Sequence, residues 1–551
     1  MATGGELLMD CILAQGGRIG FGVPGESYLA VLDAMHDRPF RFVNARHEGG
    51  AAFMAEAWGK LTGEVGLCFV TRGPGATNAA IGVHSAMQAS SPMILFVGQV
   101  GQDMRGREAF QEVDYRATFG PIAKWAVEIE DVDRIPEIVA RAWSVAMRGR
   151  PGPVVIALPE DVLSATTTAK PAPPVAHSEP APAREDIAFI EDAVSRAKRP
   201  LLLAGGAGWS SDGKAALQRF AEANDLPVVV TFRRQDLIDN ASPSYAGDAG
   251  VGMTAATKTL LREADVIVAI NARFGEMTTD GYTLLDVPAP SQMLIHSHAS
   301  DLELGKVYVA ARAIHAGPNR MLQSLAECNL PPSIERTRWR DAAHAGMRAV
   351  HETPSQPSPV DMVAVCAHLR DVLPADTVLT NGAGNFAVWP SRYVPVGGGR
   401  RLLAPQSGAM GYGIPAAIAA SLEHPERTVV CFAGDGDFQM TGMELATAAQ
   451  EGATPIIIVL DNGTYGTIRM HQERTFPARV SGTDLRNPDF AALARACGLH
   501  GARVEQTGDF AEAFATARAC GTAAVLHLDI ATEALTPTQT ITQMRGAAKT
   551  S

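Results

Sequence analysis

The chain has 551 residues, of which 46% are hydrophobic and 19% charged, and its net charge is -12. That length predicts about three or four domains, each large enough for its own core. The acidic balance excludes nucleic-acid binding through overall charge, and no apolar run approaches the ~18–20 residues of a membrane span.

The N-terminus, MATGGELLMDCILAQGG, lacks the basic start and cleavage site of a secretory signal. Seven cysteines are scattered singly, with no CxxC and no metal spacing, and read as reduced thiols of a cytoplasmic protein. Block one, 1–164, alternates short apolar runs (VGLCFVTRG, PMILFVGQV, GPVVIALP) with Ala-rich, helix-periodic stretches. Within it RFVNARHEGGAAFMAEAWGKLTG predicts a strand ending at Arg46 and a helix beginning near Glu48. An acid in a first helical turn is favoured by the helix dipole alone.

Residues 165–184 form a Pro-rich linker, where Pro171, Pro173, Pro174, Pro180 and Pro182 favour an extended path. Block two, 185–340, carries PLLLAGG, LPVVVTF and ADVIVAIN. Linker-like stretches follow at 329–332 and 353–360. Block three, 358–535, carries DTVLTNG, RTVVCFAGDG and TPIIIVLDNG, and 536–551 is a tail. Strands buried on both faces and alternating with helices predict three doubly wound α/β domains with parallel sheets. Binding sites are then expected at the carboxyl ends of the strands.

The most specific motif is Gly434-Asp435-Gly436, with Asn462 26 positions after Gly436. The segment reads strand, tight loop, helix, strand, so Asp435 and Asn462 both lie at the carboxyl ends of parallel strands. Their oxygens suit a hard cation such as Mg²⁺, which takes about six oxygen ligands. The two glycines let backbone approach a phosphate closely. On these residues the chain resembles the thiamine diphosphate-dependent enzymes, whose signature is GDG, a spacer of similar length, then Asn.

The resemblance implies that Asp435, Asn462 and the carbonyl of Thr464 hold the metal that binds the diphosphate. Gln406 through Gly413 resembles the loop before the GDG strand, with Gly408 at the cofactor and Met410 as the apolar wedge beneath it. Gly382, Asn385, Asp437, Tyr465 and Gly466 also fall at cofactor-binding positions. In block one Glu48 matches the glutamate that exchanges a proton with the aminopyrimidine ring. Pro24 and Gly25 of FGVPG, and Thr71 and Asn78 of TRGPGATN, extend the pyrimidine side. Gln99, Gln111 and Lys124 become candidates for the substrate channel, Gln111 as a hydrogen-bond partner and Lys124 as a carboxylate attractor. His47 and His84 are expected to pack or hydrogen-bond rather than catalyse; His471 stays open.

The match covers nearly the whole chain and is closest to acetolactate (acetohydroxyacid) synthases. It implies pyrimidine-binding, central and diphosphate-binding domains and a homo-oligomer, dimer or tetramer, with sites shared between subunits. The implied reaction is decarboxylation of a 2-oxo acid such as pyruvate, with carboligation to a second carbonyl compound. Several positions depart from that pattern. Glu26-Ser27 replaces small residues, Ala89-Ser90-Ser91-Pro92 lacks an acid, and Thr467 and His471 replace a Met and a Trp of the acceptor pocket. In block two Leu203 through Gly208 lacks a full dinucleotide fingerprint. Ala272 through Gly275 only partly resembles a flavin-binding region, so FAD is not favoured. Alternatives are a simple 2-oxo acid decarboxylase, a 2-hydroxyacyl or oxalyl thioester lyase, and a non-catalytic regulatory protein; the acid at Glu48 argues against the last.

Overall fold

The computed structural model describes residues 1–328, 330–352 and 354–548. Asn329, Thr353 and 549–551, which begin the two later linker stretches and end the expected tail, lie outside the described residues. Three six-stranded sheets carry the chain, and every strand pair within them is parallel.

The first sheet comprises β1 (Ile19–Gly22), β2 (Arg41–Asn44), β3 (Gly66–Val70), β4 (Met93–Gln99), β5 (Trp125–Glu128) and β6 (Pro153–Pro159), in the order β2-β1-β3-β4-β6-β5. Its interior strands β3, β4 and β6 are buried along their whole length, because helices cover both faces. The helix α1 (Glu48–Thr62) begins at Glu48 as the sequence predicts, although β2 ends at Asn44, before Arg46. Helix α2 (Pro74–Ala89) follows β3.

The central sheet comprises β7 (Pro200–Ala204), β8 (Val228–Thr231), β9 (Tyr245–Ala249), β10 (Val266–Ile270), β11 (Met293–His298) and β12 (Arg312–His315), in the order β9-β8-β7-β10-β11-β12. Helix α3 (Ser211–Ala223) lies between β7 and β8 in sequence. Between Thr167 and Arg184 the chain carries no helix or strand, as its prolines dictate.

The third sheet comprises β13 (Val378–Asn381), β14 (Arg401–Leu403), β15 (Val429–Gly434), β16 (Ile456–Asp461), β17 (His500–Val504) and β18 (Ala524–Asp529). Its order, β14-β13-β15-β16-β18-β17, repeats the connectivity of the first sheet. Helices α4 (Gly413–Glu423), α5 (Asp435–Thr441) and α6 (Gly466–Thr475) complete what bears on the site.

One hydrophobic core runs from the first sheet into the third, through α1 and α4. Twelve of the fifteen residues of α1 are buried, mostly Gly and Ala, and that small-residue surface allows close helix approach. A Cβ on Gly59 would lie 2.2 Å from the Pro92 carbonyl oxygen. Inside this contact Glu56, fully buried, pairs with Lys60 at 2.8 Å and accepts from Tyr412 Oη and, at 2.7 Å, from Ser91 Oγ. Lys60 Nζ also donates to the Ala404 carbonyl at 3.0 Å. Burial pushes the Lys60 ammonium below its ordinary range, and Glu56 works against that shift. Among the described residues no helix is long and apolar enough to cross a membrane.

Removing one partner of a buried pair leaves an uncompensated charge, at a cost of about 3–5 kcal/mol. Glu56→Ala is therefore expected to lose that much stability in equilibrium denaturation. A loss below about 1 kcal/mol would mean that Lys60 is satisfied without it.

Candidate functional site

In a sheet of order 2-1-3-4, connections leave in opposite directions from strands 1 and 3, and a crevice opens between their carboxyl ends. The first and third sheets each have such a switch point, between β1 and β3 and between β13 and β15. Most of the residues singled out in the sequence gather at these two places.

At the first, the loop after β1 meets the loop after β3. A Cβ on Gly25 would sit 2.4 Å from Thr71 Cβ, so backbone and side chain are already in contact. Ser27 Oγ lies 2.9 Å from Thr71 Oγ1, and the Arg72 amide donates to Ser27 Oγ at 3.2 Å. Gly73 has φ 60°, and its missing Cβ would meet Gln111 Cβ at 2.9 Å. Only glycine both adopts that conformation freely and leaves this space. The Gly73 amide donates to Tyr115 Oη at 2.8 Å.

Glu48 opens α1 beside this cluster. Asn78 Nδ2 donates to its Oε2 at 2.9 Å, while Oε1 faces the bare Cα of Gly75. His47 is the N-cap, its Nδ1 accepting from the Gly49 amide at 3.0 Å, which fits the hydrogen-bonding role expected for it. Pro24 is exposed at the rim.

Arg72 is a residue the sequence reading passed over. It pairs with Glu160 and lies 3.5 Å from Glu26, so the Glu26 carboxylate has a cation beside it. Gln99 is fully buried and committed to backbone, donating to the Val113 carbonyl at 2.9 Å. Lys124 is not brought to this cluster. Its amide bonds the Pro153 carbonyl at the amino end of β6, and its ammonium caps the carbonyls of Val145 and Arg148 at the end of helix Ile135–Met147. Burial, helped by Arg150 and Arg148, pushes it down to about 8.

Beside the second switch point β15 and β16 pair in register, Gly434 opposite Leu460, so Asp435 and Asn462 leave neighbouring strands. Asp435 Oδ1 accepts from the Gly436 amide at 2.8 Å. Asn487 Nδ2 spans two carboxylates, 2.8 Å from Asp435 Oδ2 and 2.7 Å from Asp461 Oδ1. Burial beside Asp461 pushes Asp435 up to about 6. Asp461 is also partly buried, but hydrogen bonds from His527, at 2.9 Å, and Asn487 hold it below its ordinary value. Asn462 Oδ1 accepts from the Thr464 amide at 3.2 Å. The Asp435 carboxylate and the Asn462 amide oxygen are oxygen donors of the kind a hard divalent cation takes.

Asp437 is buried and ties two loops together, accepting from the Ala383 amide at 3.0 Å and the Gly411 amide at 2.9 Å. Burial pushes its carboxyl up to about 7 against those bonds. A Cβ on Gly382 would fall 1.9 Å from its Oδ1, and one on Gly436 would fall 2.5 Å from the Tyr465 ring. Met410 sits half-buried in the turn before Gly411, and Gly408 is exposed there. Thr467 Oγ1 is 3.0 Å from both Asn385 N and Asn385 Oδ1, which fixes the Asn385 loop on α6. Gly466 packs against Leu535, and His471 is exposed.

Asn487 and His527 gave no signal in sequence. Glu444, nine residues after Asp435, gave none either. Fully buried, it accepts from the Arg46 amide at 3.1 Å and the His47 amide at 3.0 Å, anchoring the start of α1 to the third sheet's helices.

Three family models match, in order, the N-terminal thiamine pyrophosphate (TPP) binding domain at 2–118, the central domain at 187–325 and the C-terminal TPP binding domain at 382–528. The chain belongs to the thiamine pyrophosphate enzymes and is acetolactate synthase-like. The acetolactate synthase isozyme 2 large subunit of Escherichia coli is 30% identical over 96% of this chain and 95% of its own length. The large subunit of Parasynechococcus marenigrum is 31% identical, over 98% and 86% respectively. That of Lactococcus lactis is 30% identical, over 93% and 89%. The protein is therefore a thiamine diphosphate-dependent enzyme.

Losing Glu444 removes the acceptor of two part-buried amides, a bond to a charged acceptor being worth about 1.5–3 kcal/mol. Glu444→Ala is expected to lower stability by at least that single-bond amount in a denaturant titration. Glu444→Gln, which keeps an acceptor oxygen, is expected to recover part of it. Equal losses in the two variants would show that the contact is not a hydrogen bond to the amides.

Proposed function

We propose that the chain decarboxylates a 2-oxo acid, pyruvate in the simplest case, and joins the remaining acyl unit to a second carbonyl compound. The observation that carries this reading is the pair of switch-point clusters, one centred on Glu48 and one on Asp435, in an acetolactate synthase-like chain. Thiamine diphosphate, when bound, supplies an electron sink for the bonding pair released as carbon dioxide leaves.

Asp435, Asn462 and the Thr464 carbonyl would hold Mg²⁺ and through it the diphosphate. Asn487 and Asp461 would orient Asp435 from outside the ligand set. Gly382, Gly408, Gly434 and Gly436 leave backbone open to the phosphates, with Asn385, Asp437, Tyr465 and Gly466 shaping the loops around them. Met410 would support the ring system. Glu48 would exchange a proton with the aminopyrimidine, its Oε2 steadied by Asn78 and its Oε1 left for the transfer. Gly25, with Pro24 at the rim, and Thr71 would line the pyrimidine pocket, and Gln111 would hydrogen-bond the substrate. Lys124, engaged by helix-end carbonyls, has no part in this reading.

Among the described residues no hydrogen bond joins the Glu48 cluster to the Asp435 cluster. The acetolactate synthase-like character of the chain supports a homo-oligomer in which each site takes its pyrimidine side from one subunit and its metal side from another. Turnover per subunit is then expected to fall on dilution, in step with dissociation seen by sedimentation velocity. Constant turnover in a demonstrated monomer would refute the shared site.

A second reading is favoured by Thr467 and His471. Thr467 spends its hydroxyl on Asn385 and His471 is exposed, so neither supplies a bulky apolar wall for the acceptor. A wall-less acceptor pocket suits release by protonation, which would make the enzyme a 2-oxo acid decarboxylase or a lyase for a 2-hydroxyacyl or oxalyl thioester.

Turnover of pyruvate with added thiamine diphosphate and Mg²⁺, following carbon dioxide, acetaldehyde and acetolactate together, separates these. Acetolactate is the expected main product, and acetaldehyde alone would favour the second reading. Glu48→Gln is expected to keep thiamine diphosphate binding and to lose at least about a hundredfold in turnover, the usual share of a general acid–base group. Undiminished turnover in that variant would remove Glu48 from the mechanism.

A further inference from the structure

A cavity of about 660 Å³ lies where the three sheets' domains meet, away from both switch-point clusters. Its lining holds six Lys or Arg residues against three Asp or Glu, an excess of cations in a protein whose net charge is -12. Lys60 is spoken for by Glu56. Deeper in, Asp236 is almost fully buried and takes Lys214 at 3.1 Å and Arg401 at 2.8 Å. One carboxylate thus faces two cations before Arg234 is considered.

Arg234 is only 6% exposed, yet its guanidinium makes no hydrogen bond among the described residues, and its Nε is buried without a partner. Such a group is expensive unless an anion meets it. At the rim the one ion-pair partner of Arg427 among the described residues is Glu426, at 3.8 Å. The wall between them includes Trp209, whose indole N–H donates to the Gly205 carbonyl at 2.7 Å, and Ser210, the N-cap of α3. A volume of this size is typical of small-molecule sites and fits more than a bare ion.

We propose that this three-domain cavity binds a phosphorylated anion of nucleotide size, with Arg234 and Arg427 on its phosphates and Trp209 beside its apolar part. Guanidinium groups suit phosphate oxygens because their N–H groups form charge-assisted, paired bonds. The site is separate from the neighbouring cleft lined by Arg273, Thr231 and Phe232. Its occupant would touch all three domains at once, through Arg427 and Arg401 of the third, Arg234 of the second and Lys60 of the first.

Calorimetric titration of the protein saturated with thiamine diphosphate and Mg²⁺ tests this, with ADP as the probe and adenosine as its uncharged counterpart. ADP is expected to bind and adenosine not. Arg234→Met and Arg427→Ala are each expected to weaken ADP about tenfold or more, the scale of one charge-assisted bond, whereas Arg273→Met leaves it unchanged. The melting temperature of Arg234→Met without ADP is expected to equal or exceed that of the unmodified protein, since a buried guanidinium with no hydrogen bond among the described residues has gone. Should that variant fail to fold, Arg427→Ala, at a position 28% exposed, carries the test alone. Absence of ADP binding, equal binding of adenosine, survival of binding in both variants, or loss only in Arg273→Met would overturn the proposal.

Discussion

The contact between α1 and α4 is the constraint on which the rest of the molecule depends. It merges the cores of the first and third sheets into one, so neither switch point can move without disturbing a shared, buried core. Small residues make the approach possible, and Glu56, Lys60 and Tyr412 give it a single register. A buried ion pair is a poor source of net stability but a strict one for geometry, because a slipped arrangement leaves a charge unpaired. Glu444 adds a second anchor at the start of α1, and with it the backbone that carries Glu48 is fixed from the opposite domain.

The two clusters obey the same topological rule. The first and third sheets share one strand order, and the candidate site residues sit at the carboxyl ends of their strands, after β1, β2 and β3 in the one and after β13, β15 and β16 in the other. The residues of the two clusters differ in kind. At one end the Glu48 carboxylate takes a single side-chain amide bond, from Asn78. At the other Asn487 bridges two carboxylates, Asp435 and Asp461. The central sheet has the other doubly wound order and borders both larger clefts between domains.

Much of this was legible in the chain. Apolar runs bounded by glycine loops gave away parallel sheets, since a strand covered on both faces has no polar side to show. The helix start at Glu48 and the strand–loop–helix course through Gly434 and Asp435 were readable because local capping and glycine requirements act over a few residues. Asn487, His527 and the pairing of Arg72 with Glu160 were not, because each partner lies tens of residues away and carries no local pattern. Lys124 shows the reverse error: a residue type suited to a carboxylate was read from its motif, while the fold gives its ammonium to helix-end carbonyls.

What the sequence by itself determined is the class of fold and the chemistry available, through residue types whose spacing follows from strand and helix geometry. Only the tertiary structure decided which of those residues face one another. The shared strand order put Asp435 beside Asp461, helix docking set Glu444 under α1, and the meeting of three domains left the buried Arg234 guanidinium with no hydrogen bond among the described residues. Such juxtapositions depend on contacts between distant parts of the chain, and a linear pattern carries no record of them.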